Sequence, residues 1–188
     1  MPLPASLSVA LKEWASVCAA LESGRQMVLL RKGGILEAIG GFELEHRDFL
    51  LFPTYLHQKA EMLKPDAHIG LEPRDDEPAE VMLSAAATVT DIIKLRSRDQ
   101  MDRIEDAHVW TPPLIDMRFN YRPMNPLYLL IVRAYRLSVP VKIANIPAYA
   151  GCKSWVPLEE AIALASITPA MNQREFDERR KSLLDRIG

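Results

Sequence analysis

The chain has 188 residues, of which 48% are apolar and 26% charged, and its formal net charge is −2. This composition excludes wholesale disorder and a highly basic chromatin-type protein, and the length fits a single domain over residues 1–188. The two cysteines cannot form a disulfide framework, and no apolar run reaches the length of a membrane-spanning helix. The N-terminus lacks the early basic residues of a secretory signal, so we expect a cytoplasmic protein without a membrane partner.

The first 30 residues predict a helix followed by a buried strand. Apolar residues recur at threes and fours from Val9 to Leu21, which is typical of a helix that Ser6 caps and Gly24 ends. Residues 26–30 then form a short apolar run that favours a buried strand.

The next segment predicts a strand that leads into a second helix. Alternation from Phe42 to Phe52 indicates a strand or a tight hairpin that ends at Pro53. Thr54 would then cap a helix that Pro65 stops, and the acidic, proline-bearing residues 66–80 would form an exposed loop.

The rest of the chain predicts two long strands among shorter elements. The expected strands are Val81–Leu95, Ile115–Phe119 and Leu127–Leu137, and the expected helices are 97–108, Leu158–Ala165 and a charged C-terminal helix over 171–188. This order suggests an α+β domain with flanking helices around a mostly antiparallel sheet, which could be barrel-like.

An acid-free segment, residues 117–158, interleaves basic and aromatic side chains. Such a pattern suits a groove in which positive charge meets phosphates and flat rings stack on bases. We therefore expect RNA, single-stranded DNA or a nucleotide as partner, bound by Arg31, Lys32, His57, Arg118, Arg133, Tyr135 and Trp155, with Trp110 as a further stacking platform. The alternative is a sheet with arginines on its outer face and tyrosines on its inner face.

The turn around Pro53 suggests a phosphate site. A helix beginning at Thr54 would offer free backbone N–H groups near His57 and Gln58, and Arg31 and Lys32 could face the same anion. Alternatively, Thr54 only caps the helix while Arg31 pairs with Glu45.

Two other function classes stay open. A metal-dependent phosphodiesterase would use Glu45, His46 and His57 as catalytic residues and a divalent metal as cofactor. His46, His57, His108 and Cys152 are candidate metal ligands, although their spacing matches no zinc motif. A non-catalytic partner-binding module would instead dock through the C-terminal helix, and the pattern fixes no oligomeric state.

Several stretches together resemble a known family. They are Leu11-Lys12-Glu13-Trp14, Ala20-Leu21-Glu22, Gly24-Arg25-Gln26, LLRKGGI, EHRDFLLFPTYLHQ, HVW, LLIVRAYRL and YAGCKSWVPL. Over residues 10–160 the chain resembles the bacterial and archaeal family of domain of unknown function 1802, a resemblance that implies no particular reaction. In outline the chain is also similar to PUA-like domains of the ASCH and EVE kind, which implies a small β-barrel with flanking helices that binds RNA or modified bases.

Overall fold

The fold alternates strands and short helices along most of the chain. In a computed structural model, the described residues are 3–32, 35–38, 41–56, 58–68, 74, 76–151 and 153–188, with the backbone alone for 35–38 and 41–43. His57 and Cys152, two predicted site residues, lie outside the described residues. The strands are β1 (Ser6–Trp14), β2 (Val28–Arg31), β3 (Ile35–Ala38), β4 (Gly41–Leu44), β5 (Asp48–Thr54), β6 (Glu80–Leu95), β7 (Leu127–Ala144), β8 (Trp155–Ala163) and β9 (Ile167–Pro169), and the helices are α1 (Ala15–Glu22), α2 (Asp99–Asp102), α3 (Pro112–Asn120) and α4 (Gln173–Ile187).

Seven of the described strands form one sheet. Its order is β2-β7-β6-β5-β1-β8, with β9 added to β7 beyond β2, while β3 and β4 pair only with each other. The pair β1–β5 is parallel and the other described pairs are antiparallel. Because β1 and β5 run in the same direction, both strands end at the same edge of the sheet.

The sheet is rolled, although the described pairings leave it open. Three strands separate β2 from β1, a distance of roughly 19 Å across a flat sheet. Yet Arg31 at the end of β2 donates a hydrogen bond from Nη2 to the backbone oxygen of Lys12 in β1, at 3.0 Å. Strands β2 and β1 must therefore curve toward each other, and a mouth forms where β1, β2 and β5 end.

Apolar residues fill both faces of the sheet. Phe49 and Leu51 of β5 belong to one buried cluster, whereas Leu50 and Phe52 belong to a second. Alternate residues of a strand point to opposite faces, so the two clusters lie on the two sides of the sheet. The first cluster also includes buried residues of α1, α3 and α4, and the helices therefore flank one face.

The fold class is confirmed: the protein is α+β, with a mostly antiparallel sheet and flanking helices. The two long predicted strands are present as β6 and β7, and the charged C-terminal helix is present as α4. Gly24 ends α1 with the positive φ, +75°, that favours glycine.

Three predicted elements are wrong. Residues 6–14 are strand β1, because pairing with β5 and β8 outweighs the helical spacing of their apolar residues. Residues 115–119 lie in helix α3, whose first two residues are prolines, a position where the missing N–H is not needed. Residues 158–163 belong to strand β8, which pairs with β1.

The predicted helix after Thr54 is also absent. Thr54 is the last residue of β5, and its hydroxyl donates to the backbone oxygen of Glu13 at 3.1 Å. Two single-turn 3₁₀ segments, Ala60–Met62 and Pro65–Ala67, follow in place of a long helix. The anion site that a helix beginning at Thr54 would have formed is therefore not present.

Candidate ligand cleft

A cleft of about 930 Å³ opens where the parallel strands β1 and β5 end. Lys12, Glu13 and Trp14 of β1 line one side, beside Phe52 and Thr54 of β5. The remaining walls come from Arg31 of β2, Arg118 of α3, Leu56, residues 76–79 and segments of residues 145–154. Its volume is within the range of small-molecule sites, and the mouth of a rolled sheet is a common place for one.

Arg31 is held at the cleft by backbone and carboxylate oxygens. Its side chain is 12% exposed, and Nη2 lies 3.8 Å from Oε2 of Glu13, whose side chain is 6% exposed. The other carboxylate oxygen of Glu13 accepts a hydrogen bond from the backbone N–H of Trp14 at 2.9 Å. Burial lowers the pKa of Arg31 from its ordinary value, and the positive charge of Arg118 lowers it further, while the Glu13 carboxylate acts in the opposite direction.

Arg118 supplies a second guanidinium with unused donors. It makes no hydrogen bond or ion pair with any described residue, and its Nε is buried without a partner, as is the Nε of Arg31. A buried donor without an acceptor costs about 1–3 kcal/mol. Two guanidiniums that repel each other and keep unused donors in one cleft favour an anionic ligand.

Aromatic side chains also pack around the cleft. Phe52 and Tyr149 meet edge to face, with their ring centroids 6.0 Å apart. Lys12 stands over the Phe52 ring at 5.8 Å and donates from Nζ to the backbone oxygens of Tyr149 and Gly151. Phe52 and Tyr149 are themselves buried, so the half-buried Trp14 in the wall beside Lys12 is the ring that the cleft presents together with positive charge.

A carboxylate from the acidic segment is bound at the edge of the cleft. Glu77 accepts hydrogen bonds from the backbone N–H of Tyr55 at 3.0 and 3.1 Å, and from that of Leu56 at 3.0 Å. Arg74 lies over the Tyr55 ring at 4.7 Å. The backbone that follows β5 therefore does bind an anionic group, through strand-end amides instead of a helix terminus.

Of the predicted ligand residues that the structure describes, Arg31, Thr54 and Arg118 line this cleft. Lys32 instead donates to the backbone oxygens of Phe119 at 3.0 Å and Tyr121 at 2.6 Å, and so holds the end of α3. Gln58 accepts a hydrogen bond from the backbone N–H of Ser16 at 3.0 Å, in the first turn of α1. Both residues fix the scaffold around the site.

Arg133 and Tyr135 lie on a different surface. Arg31 pairs with Tyr128 in the sheet, and Arg133 is five residues further along β7, roughly 17 Å away. Arg133 donates to Gln173 of α4 and lies over the rings of Tyr135 and Phe176. Arg31 therefore lines this cleft and Arg133 does not, so a single groove containing both stays a prediction.

The two tryptophans predicted to stack on bases also lie outside the cleft. Trp110 is 3% exposed and packs beside His108, so its ring is not presented to a ligand. Trp155 contacts His46 and Phe49 edge on, at centroid distances of 5.1 and 5.3 Å.

The predicted catalytic and metal residues are dispersed within the described part of the chain. Glu45 and His46 are neighbours, with 3.7 Å between Oε1 and Nε2, and both are partly exposed. His108 is buried, and burial lowers its pKa from 6.5 to about 4. Among the described residues, no three His, Cys, Asp or Glu side chains form a group that could hold a metal ion. Arg31 pairs with Glu13 and not, as one alternative had it, with Glu45.

Sequence reasoning missed several cleft residues, including Lys12, Glu13, Trp14, Glu77 and Tyr149. Residues 12–14 had been assigned to a helix, which hid the fact that they end a strand parallel to β5. No separate signal for them is present in the sequence, because a glutamate between Lys12 and Trp14 is unusual only once its burial is known.

These features define an α+β protein with a rolled, mostly antiparallel sheet and a basic, aromatic cleft at its mouth. Residues 10–182 match the family described as Domain of unknown function (DUF1802), and the chain belongs to that family. The match extends beyond the predicted range of 10–160 and includes most of α4. A comparison with curated proteins gives no significant match.

Similar solved structures include an ASCH protein from Zymomonas mobilis and two mutants of it, one tyrosine-to-phenylalanine and one serine-to-alanine. Each is 11% identical to this chain, with TM-scores of 0.43–0.44. The alignments cover 92–96% of this chain and 93–99% of those chains. ASCH is the class that the sequence resembles in outline. Within the described residues, no helix has both the length and the apolar character needed to cross a bilayer.

Proposed function

We propose that the cleft binds one nucleotide at a time, either free or as an unstacked residue of single-stranded RNA or DNA. The observation that carries the proposal is the pair Arg31 and Arg118, two neighbouring guanidiniums with unused donors in a cleft whose wall includes the half-buried ring of Trp14. Guanidiniums recognise phosphate, and aromatic rings stack on any base.

The shape of the cleft favours a single nucleotide over a duplex. A volume of about 930 Å³ is at the upper end of the range for small ligands, and it is too small for a base-paired helix. A nucleotide from a strand would have to leave its stack to enter, which costs least in single-stranded nucleic acid.

The surface next to Arg118 extends the site. Tyr121, three residues further along the chain, is 53% exposed, and Arg122 lies over its ring at 5.3 Å. Residues three apart at the end of a helix lie on one side, so Tyr121 is placed to stack on a base adjacent to the bound nucleotide. This neighbour favours a strand as ligand in addition to a free nucleotide.

The test is the affinity for a labelled eight-residue RNA pool and for the four nucleoside 5′-monophosphates, measured by anisotropy and calorimetry. If two phosphates contact arginines, the slope of log affinity against log salt is about −1.4 for a single strand. Arg118→Gln removes charge-assisted hydrogen bonds, which are worth about 1.5–3 kcal/mol, and is expected to weaken binding at least about tenfold.

Arg136→Gln is the matched control, because Arg136 is exposed on β7 and does not line the cleft. Its affinity should stay within about twofold of the unmodified protein. An affinity for RNA and nucleotides that is absent, or that Arg118→Gln and Arg136→Gln lower equally, would remove the proposal.

A further inference from the structure

The strand-end amides of Tyr55 and Leu56 form a small anion site that a side chain of the protein already fills. Both N–H groups point at one carboxylate, and the three donor–acceptor distances to Glu77 are 3.0, 3.1 and 3.0 Å. Consecutive amides that converge on one point are a recurring way to bind phosphate or carboxylate. Leu56 and Glu77 both line the ligand cleft, so this anion site belongs to the same cavity as Arg31 and Arg118.

The carboxylate can leave without detaching its segment. Asn145 holds the two residues after Glu77, because its Nδ2 donates to the backbone oxygen of Pro78 at 2.9 Å and its own N–H donates to that of Ala79 at 2.8 Å. Neither bond involves the Glu77 side chain. A rotation of that side chain alone would therefore open the two amides to another anion.

We propose that Glu77 occupies the subsite of the nucleotide phosphate and competes with it. The inference rests on the proposed function and deepens it. A phosphate monoester that enters the cleft would take the amides of Tyr55 and Leu56, and the displaced carboxylate would turn to solvent. The acidic segment thus acts as a built-in competitor that lowers the affinity for phosphate-bearing ligands and leaves the affinity for uncharged nucleosides unchanged.

The test compares Glu77→Gln with Asp76→Asn. Asp76 lines the same cleft and makes none of the three hydrogen bonds, so its substitution removes the same charge without weakening them. Glu77→Gln keeps one oxygen that can accept from the amides but removes the negative charge that strengthens these bonds. The probes are the four nucleoside 5′-monophosphates, the four nucleosides and inorganic phosphate. Glu77→Gln is expected to raise the affinity for the monophosphates about tenfold and to leave the affinity for the nucleosides within about twofold. Asp76→Asn is expected to change either affinity by less than about threefold.

Inorganic phosphate alone separates the sources of binding. If Glu77→Gln binds free phosphate more tightly, the subsite recognises phosphate by itself. If Glu77→Gln binds monophosphates more tightly but free phosphate with unchanged affinity, the subsite needs the base of the nucleotide as an anchor. Equal tightening by Glu77→Gln and Asp76→Asn overturns the proposal, because net charge would then explain the effect. Weaker monophosphate binding by Glu77→Gln overturns it as well.

A measurement on the unmodified protein covers the case in which Glu77→Gln does not fold. Adding a monophosphate should shift the amide ¹⁵N and ¹H resonances of Tyr55 and Leu56, and the matching nucleoside should shift them far less. Unmoved amides in a protein that binds monophosphates through Arg118 would sink this inference and leave the proposed function standing. Failure of every probe to bind any variant would sink the proposed function itself.

Discussion

Two arginine-rich regions of this protein use the same side chain in opposite ways. On the α4 face, defined here by Arg133, Arg179, Arg180 and Arg186, the guanidiniums bind acceptors of the chain itself. Arg180 makes two bonds of 2.6 and 2.5 Å to Asp91, and Arg186 binds both Asp106 and the backbone oxygen of Arg103. In the cleft, Arg118 has no such partner among the described residues, and Arg31 has the backbone oxygen of Lys12 at 3.0 Å and Glu13 at 3.8 Å but keeps an unpaired Nε.

The difference shows that basic residues alone do not define a binding surface. The arginines of the α4 face hold a helix whose apolar residues Phe176, Leu183 and Ile187 are already buried against the core. Docking of a partner through the C-terminal helix stays a prediction, and it would use the charged face of α4 because these apolar residues are covered. The Nε of Arg133 is also buried without a partner, but Arg133 does not line the cleft. The cleft arginines keep unused donors beside open space, and that is where a ligand gains most from binding.

The largest expected effect comes from breaking the ion pair between Arg31 and Glu13 in the cleft. Arg31→Met leaves the buried Glu13 carboxylate without its cation, and we expect the free energy of unfolding to fall by about 3 kcal/mol. Unfolding in urea measures this change in free energy. The double variant Arg31→Met with Glu13→Gln removes both charges and should recover more than half of the lost free energy of unfolding. A double variant as unstable as Arg31→Met alone would mean that the ion pair contributes little to stability.

His108 gives a pH test of the face of the sheet that the helices cover. It packs beside Trp110, which belongs to the first buried apolar cluster. Its folded pKa of about 4 lies below the ordinary 6.5 because burial disfavours the charged ring. The unfolded chain therefore binds the proton first, so stability is full above pH 6.5 and falls by up to about 3 kcal/mol as the pH drops toward 4. The measurement is the free energy of unfolding at a series of pH values in this range. His108→Gln should flatten the dependence of that free energy on pH, and an unchanged dependence would contradict the account.

A smaller effect is expected where α4 meets the sheet. Burial raises the pKa of Asp91, but hydrogen bonds from Arg180 and Thr90 and the charges of Arg180 and Arg47 lower it below its ordinary value. The stabilisation is therefore present above the ordinary carboxyl pKa and is lost as the pH falls through the lowered one. Because Arg180 is 39% exposed and screened, Asp91→Asn should cost only about 1 kcal/mol.

Hydrogen exchange locates that loss. We expect Asp91→Asn to speed exchange in α4 while nucleotide affinity stays the same. A variant that lost nucleotide affinity as well would show that the two arginine-rich regions are not independent.

The smallest expected effect concerns the exposed ring beside the cleft. Tyr121→Ala should weaken the eight-residue RNA about fivefold, since stacking on one base is worth about 1 kcal/mol, and should leave mononucleotides unchanged. Tyr135→Ala, on the α4 face, is the control and should change neither affinity. Equal losses for RNA and mononucleotides would place Tyr121 inside the nucleotide site itself.

Sequence patterns predicted the long elements well and the short ones poorly. The long apolar, β-branched stretches predicted β6 and β7, and the long charged stretch predicted α4. In β1, by contrast, the spacing of apolar residues fits a helix as well as a strand. Only the neighbours β5 and β8 decide in favour of the strand, and both lie far away along the chain.

The same limit applied to the site. Arg31 and Arg118 were visible as basic residues at element ends, but their surroundings depend on how the sheet rolls. The partner Glu13 is set by a contact across the mouth of the sheet, and Glu77 reaches the amides of Tyr55 and Leu56 from a segment over 20 residues away. No local spacing records either contact.

The most direct test of the comparison is ultraviolet crosslinking of single-stranded RNA to the unmodified protein, followed by mass spectrometry of the peptides. Binding at the cleft predicts crosslinks on peptides that contain Trp14 or Tyr121, and their loss in Arg118→Gln. Crosslinks confined to peptides of the α4 face, such as the one that contains Tyr135, would contradict the assignment of the ligand to the cleft.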